Sequence, residues 1–108
     1  MILRGLFALG PAAALLLLFA PPAAAAPRTH VVTMEKMKFG TIPAVKVGDT
    51  ILWVNKDMFR HTATAKDGSF NIDLKPGAKG KTVIRKAGAI AFVCKYHPGM
   101  RGVLRVGK

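Results

Sequence analysis

Within seven residues, Cys94-Lys95-Tyr96-His97-Pro98-Gly99-Met100 offers a thiolate, an imidazole and a thioether at matched three-residue steps. Zinc accepts Cys and His readily but gains little from a thioether. Copper that cycles between two oxidation states suits one Cys, two His and a weak axial Met. That set needs a second histidine, and His61 stands 33 residues before Cys94. The residue types and spacing therefore point to one redox-active copper held by His61, Cys94, His97 and Met100. One short loop, turned by Pro98-Gly99, would supply three ligands, and a different strand would supply the fourth. Deprotonated Cys and neutral His suit both oxidation states, so the expected chemistry is single-electron transfer.

The elements that must position these ligands belong to a short chain. With 108 residues there is room for one domain and an export signal. Residues 1–26 carry a lone Arg4, an apolar stretch from Leu6 through Phe19, then Pro21, Pro22 and four alanines. Positive, apolar, then small is the layout of a secretory signal peptide. Pro27 disfavours cleavage directly before it, so a cut near Ala24–Ala26 is expected, leaving 27–108 as the functional domain. An uncleaved membrane anchor is the less favoured alternative, because the apolar core is short for a span and prolines interrupt it. Export, with a periplasmic destination, sharpens the meaning of the single cysteine. In an oxidising compartment Cys94 is a reactive thiol, half of an intermolecular disulfide or a metal ligand. A buried structural Cys is the bland reading, but it leaves His97 and Met100 unexplained.

The chain holds 17 Lys+Arg against 5 Asp+Glu; only Arg4 lies in the leader, so 27–108 keeps a net +11. Export and the absence of any aromatic-interleaved basic run argue against nucleic acid as a partner. Dispersed lysines most often mark solvated strand faces. They also suit steering toward an acidic redox partner or an anionic membrane surface. A monomer is expected.

After the leader the pattern is that of strands. Thr29–Met34 is rich in β-branched residues, Ala44–Val47 is a short segment, and Gly48-Asp49 turns into Thr50–Asn55. His61–Ala65 follows, then Phe70, Ile72 and Leu74 alternate with polar neighbours at period two. Lys81–Lys86, Ala89–Cys94 and Arg101–Val106 complete about eight strands. Short strands punctuated by Gly, Pro and Asp predict an all-β sandwich or barrel. Its expected core is Val32, Met34, Phe39, Val47, Ile51, Trp53, Phe70, Ile72, Leu74, Val83, Phe92 and Leu104.

Gly48-Asp49-Thr50, Trp53-Val54-Asn55-Lys56-Asp57, His61-Thr62 and Cys94-x-x-His97-x-x-Met100 together resemble the cupredoxins of the plastocyanin and amicyanin group. The two-residue gaps on both sides of His97 are amicyanin-like. The resemblance implies a Greek-key β-sandwich with type 1 blue copper at one end, bound at positions matching His61, Cys94, His97 and Met100. Family members commonly carry Asn after the first ligand histidine, where this chain has Thr62. A backbone amide near Thr62 is a candidate hydrogen-bond donor to the Cys94 sulfur.

Other polar residues are weaker candidates. His30 is expected as a surface or strand residue, although with Met34 and Met37 it could form a second Cu(I) site. Met58 and Phe59 are candidates for an apolar collar at the copper end, or for plain loop packing. An electron carrier is therefore the leading function, and a copper chaperone or storage protein of the cell envelope the runner-up. An enzyme is disfavoured, since four protein ligands leave no place for substrate and no acid–base or nucleophile pair is present.

Overall fold

A computed structural model describes Gly5, Gly10, Leu15, Leu17, Phe19 and residues 25–108. Apart from those isolated positions and Ala25–Ala26, the expected leader lies outside the described residues. Among the described residues no helix is long and apolar enough to cross a membrane.

Nine strands form among them: β1 (Thr29–Glu35), β2 (Lys38–Phe39), β3 (Val45–Lys46), β4 (Thr50–Asn55), β5 (His61–Ala65), β6 (Asn71–Leu74), β7 (Lys79–Val83), β8 (Gly88–Cys94) and β9 (His97–Gly107). They build two sheets, in the orders β2-β1-β4-β7 and β3-β9-β8-β5-β6. The chain changes sheet five times, at β2–β3, β3–β4, β4–β5, β6–β7 and β7–β8, giving the expected all-β Greek-key sandwich. The first sheet has a parallel pair, β1 with β4, in register from Thr29↔Thr50 to Met34↔Asn55.

Strand periodicity explains the core. In β4, Ile51, Trp53 and Asn55 point inward and are fully buried. Trp53 lies 5.3 Å from Phe92, 5.8 Å from Phe70 and 6.0 Å from Phe39, centroid to centroid. Its contacts with Phe39 and Phe92 are edge-to-face, the favoured geometry for aromatic pairs. The indole Nε1–H donates to Thr82 Oγ1 at 3.0 Å, so this large side chain is buried without an orphaned donor. Gly102 in β9 faces the same cluster: a Cβ there would sit 2.7 Å from the Phe92 ring. Close approach, not backbone flexibility, is the reason for glycine at that point.

Two expected core residues are not in the core. Val83 is 47% and Val47 42% exposed, whereas Ile84 and Val45 are buried. Residues directly opposite in an antiparallel pair share a face. Ile51 and Trp53 face inward opposite Thr82 and Gly80, so Val83, opposite Thr50, must face out. The strand accordingly runs Lys79–Val83 and not Lys81–Lys86. Val45 faces inward opposite Val106, but β3 ends at Lys46, and Val47 turns outward ahead of the positive-φ Gly48.

Asp49 ties the start of β1 to the turn before β4. Its carboxylate accepts the backbone N–H groups of Arg28 at 2.9 Å and Lys46 at 3.0 Å, and His30 Nε2 lies 2.9 Å away. The Arg28 amide, the His30 ring and the Lys46 amide together hold the carboxyl at about 2, below its usual 3.8. A carboxyl depressed in the folded chain stabilises it above the unfolded value, and that contribution disappears as pH falls through the folded value. Asp49→Asn should therefore be less stable than wild type above about pH 4, with the gap closing toward about pH 2. Denaturant titrations at stepped pH measure this, and a gap that stays constant would refute the linkage.

Candidate metal centre

The β8–β9 hairpin builds most of the site. Cys94 pairs with His97 across a two-residue turn, yet the next pair is Val93 with Arg101. Pro98, Gly99 and Met100 have no counterparts on β8, so the ladder bulges there. This bulge is how one short loop brings three candidate ligands to one place. Met100 within it is buried, as is Cys94. His61 opens β5 in the same sheet and is fully buried.

Three donor atoms converge. His61 Nδ1 and His97 Nδ1 are 3.2 Å apart, and Cys94 Sγ lies 3.7 Å from the first and 3.6 Å from the second. A point equidistant from the three corners is about 2 Å from each, the length of a metal–imidazole bond. His61, Cys94 and His97 are thus placed to bind a metal ion. Met100 sits in the same bulge as the expected weak fourth ligand.

Surrounding groups fix the orientation of these donors. His61 Nε2 lies 2.8 Å from Asp57 Oδ2. A carboxylate only accepts, so Nε2 carries the proton and the Nδ1 lone pair is left facing Cys94 and His97. The His61 hydrogen bond, followed by the Met37 amide, holds the Asp57 carboxyl below its ordinary range and keeps it ionised. Met37 reaches Asp57 from an unusual turn, because Lys36 and Met37 both adopt left-handed backbone, at φ 55° and 60°. Two non-glycine residues in that region are unfavourable, and the Met37 N–H to Asp57 bond is one contact that offsets them.

Thr62 serves the sulfur. Its N–H donates to Cys94 Sγ at 3.3 Å, as expected, and this contact helps hold the sulfur in position. Its Oγ1 accepts the Lys95 N–H at 2.8 Å, joining the residue after His61 to the residue after Cys94. A hydroxyl thus ties the two ligand segments together.

His30 is not near this cluster; it is committed to Asp49. Met34, four residues further along the same extended strand, is about 13 Å away and fully buried in the core. The His30 ring is thus paired with a carboxylate and Met34 with the core, not with each other. Phe59 meets the His97 ring edge-on at 6.0 Å, while Met58 is 83% exposed. The apolar collar is therefore one half-exposed ring set against His97 and one side chain standing in solvent.

Sequence reasoning passed over Asp57 and Asn55 as working residues. Asn55 is fully buried; its Nδ2 donates to the carbonyls of Phe59 and Leu74, and its Oδ1 accepts the Asp57 N–H. The Asn-x-Asp spacing at the end of a strong strand is the available signal, since Asn side chains bond the backbone two residues on.

Comparison with known proteins agrees with this geometry. The sequence model of the Cupredoxin-like domain matches residues 8–106. Amicyanin of Paracoccus versutus is 34% identical over 79 residues, which are 67% of this chain and 60% of that protein. The chain thus spans less than two thirds of that relative's length. Among solved structures, the reduced state of an amicyanin mutant has 31% identity and a TM-score of 0.64, covering 71% of this chain and 80% of its own. The Cu(I) form of another amicyanin mutant has 29% identity and a TM-score of 0.65, covering 80% and 87%. A Cu-containing nitrite reductase from Thermus scotoductus SA-01 has 30% identity and a TM-score of 0.60, but the match covers 22% of that chain against 76% of this one. Fold, donor geometry and sequence agree: the chain belongs to the cupredoxin-like family.

Proposed function

We propose that this protein is an exported single-electron carrier with one type 1 copper bound by His61, Cys94, His97 and Met100. The observation that carries the proposal is the triangle of two Nδ1 atoms and one sulfur, with the Thr62 N–H already on that sulfur. Copper would supply the one-electron couple. The chain supplies a pre-oriented shell: Asp57 fixes the His61 ring, Thr62 fixes Cys94, and His61, Cys94 and Met100 are buried while His97 is half-buried. Ligands held in place limit the geometric change that each electron transfer requires. A complete protein ligand set leaves no position for substrate, which favours a carrier over an enzyme. The matched nitrite reductase is a much longer chain, of which this fold is a small part.

Residues 1–26 are proposed as the export signal and 27–108 as the carrier, acting as a monomer in the periplasm. The partner is proposed to be an acidic redox protein. Met58, Phe59 and Tyr96 expose apolar surface beside the ligands, and Lys56, Arg60 and Lys95 flank them in sequence. Steering by this charge predicts that transfer to an acidic partner slows as salt rises, because screening shortens the reach of the field. Stopped-flow rates across a salt series measure it, and salt-independent rates would leave the lysines as solubility residues.

Met100→Leu should retain copper and shift the reduction potential, since an axial thioether binds weakly but tunes the couple. Voltammetry of the loaded variant checks this; outright loss of copper would make Met100 a principal ligand.

Visible absorption and EPR of the leaderless protein loaded with Cu(II) test the function itself. The expected result is an intense thiolate-to-copper band, lost on reduction and regained on oxidation. A colourless protein that holds only Cu(I) and yields it to a weak chelator would instead indicate copper delivery or storage.

A further inference from the structure

We propose that Asp73 is a positioning residue of the copper centre, its carboxylate joining the two residues that immediately precede the histidine ligands. Arg60, next to His61, donates from Nε to Asp73 Oδ1 at 2.7 Å. Tyr96, next to His97, donates from its hydroxyl to Asp73 Oδ2 at 2.7 Å. Both oxygens of one side chain are therefore occupied, one by each ligand-bearing segment. Asp73 lies in β6, directly opposite Thr62 in the β5–β6 register, which places it beside the first ligand segment. The Arg60 and Tyr96 hydrogen bonds keep its carboxyl below the ordinary range, so it remains a charged double acceptor.

Placement, not bond strength, makes this contact informative. The Arg60 and Asp73 side chains are 51% and 37% exposed, and an exposed ion pair contributes little to overall stability. The Lys86–Asp67 pair, at 3.0 Å, is another exposed pair of this kind but is attached to no ligand segment. Tyr96, by contrast, lies in the turn that separates Cys94 from His97. An outer bond donated by the Tyr96 hydroxyl to Asp73 and an inner bond donated by the Lys95 N–H to Thr62 Oγ1 restrain that turn from two sides. Removing the outer bond frees the turn to move relative to His61. The consequence falls on metal retention and on the ligand field.

The proposal rests on the copper reading above, and the wild-type protein separates failure of the two. Tyr96→Phe, Asp73→Ala, the double variant and Lys86→Ala are loaded with copper alongside wild type. Cu(II) EPR is recorded, and release of Cu(I) to a strong chelator is timed. Tyr96→Phe changes no charge and keeps the ring, so it isolates the hydrogen bond. It should accelerate release about fivefold, the equivalent of one hydrogen bond of ordinary strength, and alter the EPR hyperfine pattern. Asp73→Ala should exceed it, at roughly tenfold. The double variant should match Asp73→Ala and not the product of the two, because both changes remove the same bond. Lys86→Ala should behave as wild type. Wild-type spectra and release rates in both Tyr96→Phe and Asp73→Ala would overturn the clamp alone. Equal effects from Lys86→Ala would also overturn it, by showing general loosening. Absence of a thiolate–copper band in wild type would overturn the copper reading and the clamp with it.

Discussion

Cys94→Ala should take up Cu(II) without any intense visible band, the largest single change expected at the site. The band requires a thiolate on the metal, and Cys94 is the chain's only cysteine. The two converging imidazoles remain, so weak binding persists with the pale colour of a nitrogen-bound copper. Alanine also removes the acceptor for the buried Thr62 N–H, and leaving such a donor unpaired costs about 1–3 kcal/mol. Cys94→Ser restores an oxygen acceptor there and should recover much of that stability while staying colourless. Absorption spectra paired with denaturant titrations separate the two effects. A blue Cys94→Ala protein would show that another ligand generates the colour, and the proposed site would fall.

Trp53→Ala should produce the largest loss of folding stability. Trp53 is fully buried and touches Phe39 of β2, Phe92 of β8 and Phe70 just before β6, so the cluster joins the two sheets. Truncation removes the centre of that cluster, at an expected cost of about 3–5 kcal/mol. Domains are stable by about 5–15 kcal/mol in total, and a small one sits toward the low end of that range. The apoprotein should be left with about 0–2 kcal/mol of stability, and copper should raise the folded population by mass action. Trp53→Phe is the milder comparison; it loses the bond to Thr82 and some area, about 1–2 kcal/mol. Guanidinium titrations of both apoproteins decide the matter, and a loss below about 1 kcal/mol for Trp53→Ala would show that the aromatic cluster repacks. The cluster also bears on function. Trp53 precedes Asn55 on β4, and Phe92 precedes Cys94 on β8, so loss of the core should loosen the ends of the strands that hold the site.

Much of this was legible because the two signals involved are local. Thr50–Asn55 and His61–Ala65 appear with the boundaries that their β-branched and alternating residues predict. Short strands, all-β class and the grouping of His61, Cys94 and His97 follow from residue types and spacing. Errors arise where parity depends on a partner strand. Val83 and Ile84 are both apolar, and only pairing of β7 with β4 decides which faces the core. The two-residue strand β2 carries no periodic signal, and it exists because Lys36 and Met37 accept left-handed turns that return it to β1.

By itself, the sequence determined the donor types, their order along the chain and the alternation that makes a sandwich, since each depends on neighbouring residues. The tertiary structure alone decided how the donors are held. Asp57 at His61, Thr62 Oγ1 at Lys95 and Asp73 across Arg60 and Tyr96 are contacts between segments up to 33 residues apart. Hydrogen bonds of that kind depend on strand register and on the bulge at Cys94, and register is set by the whole buried face rather than by any single residue.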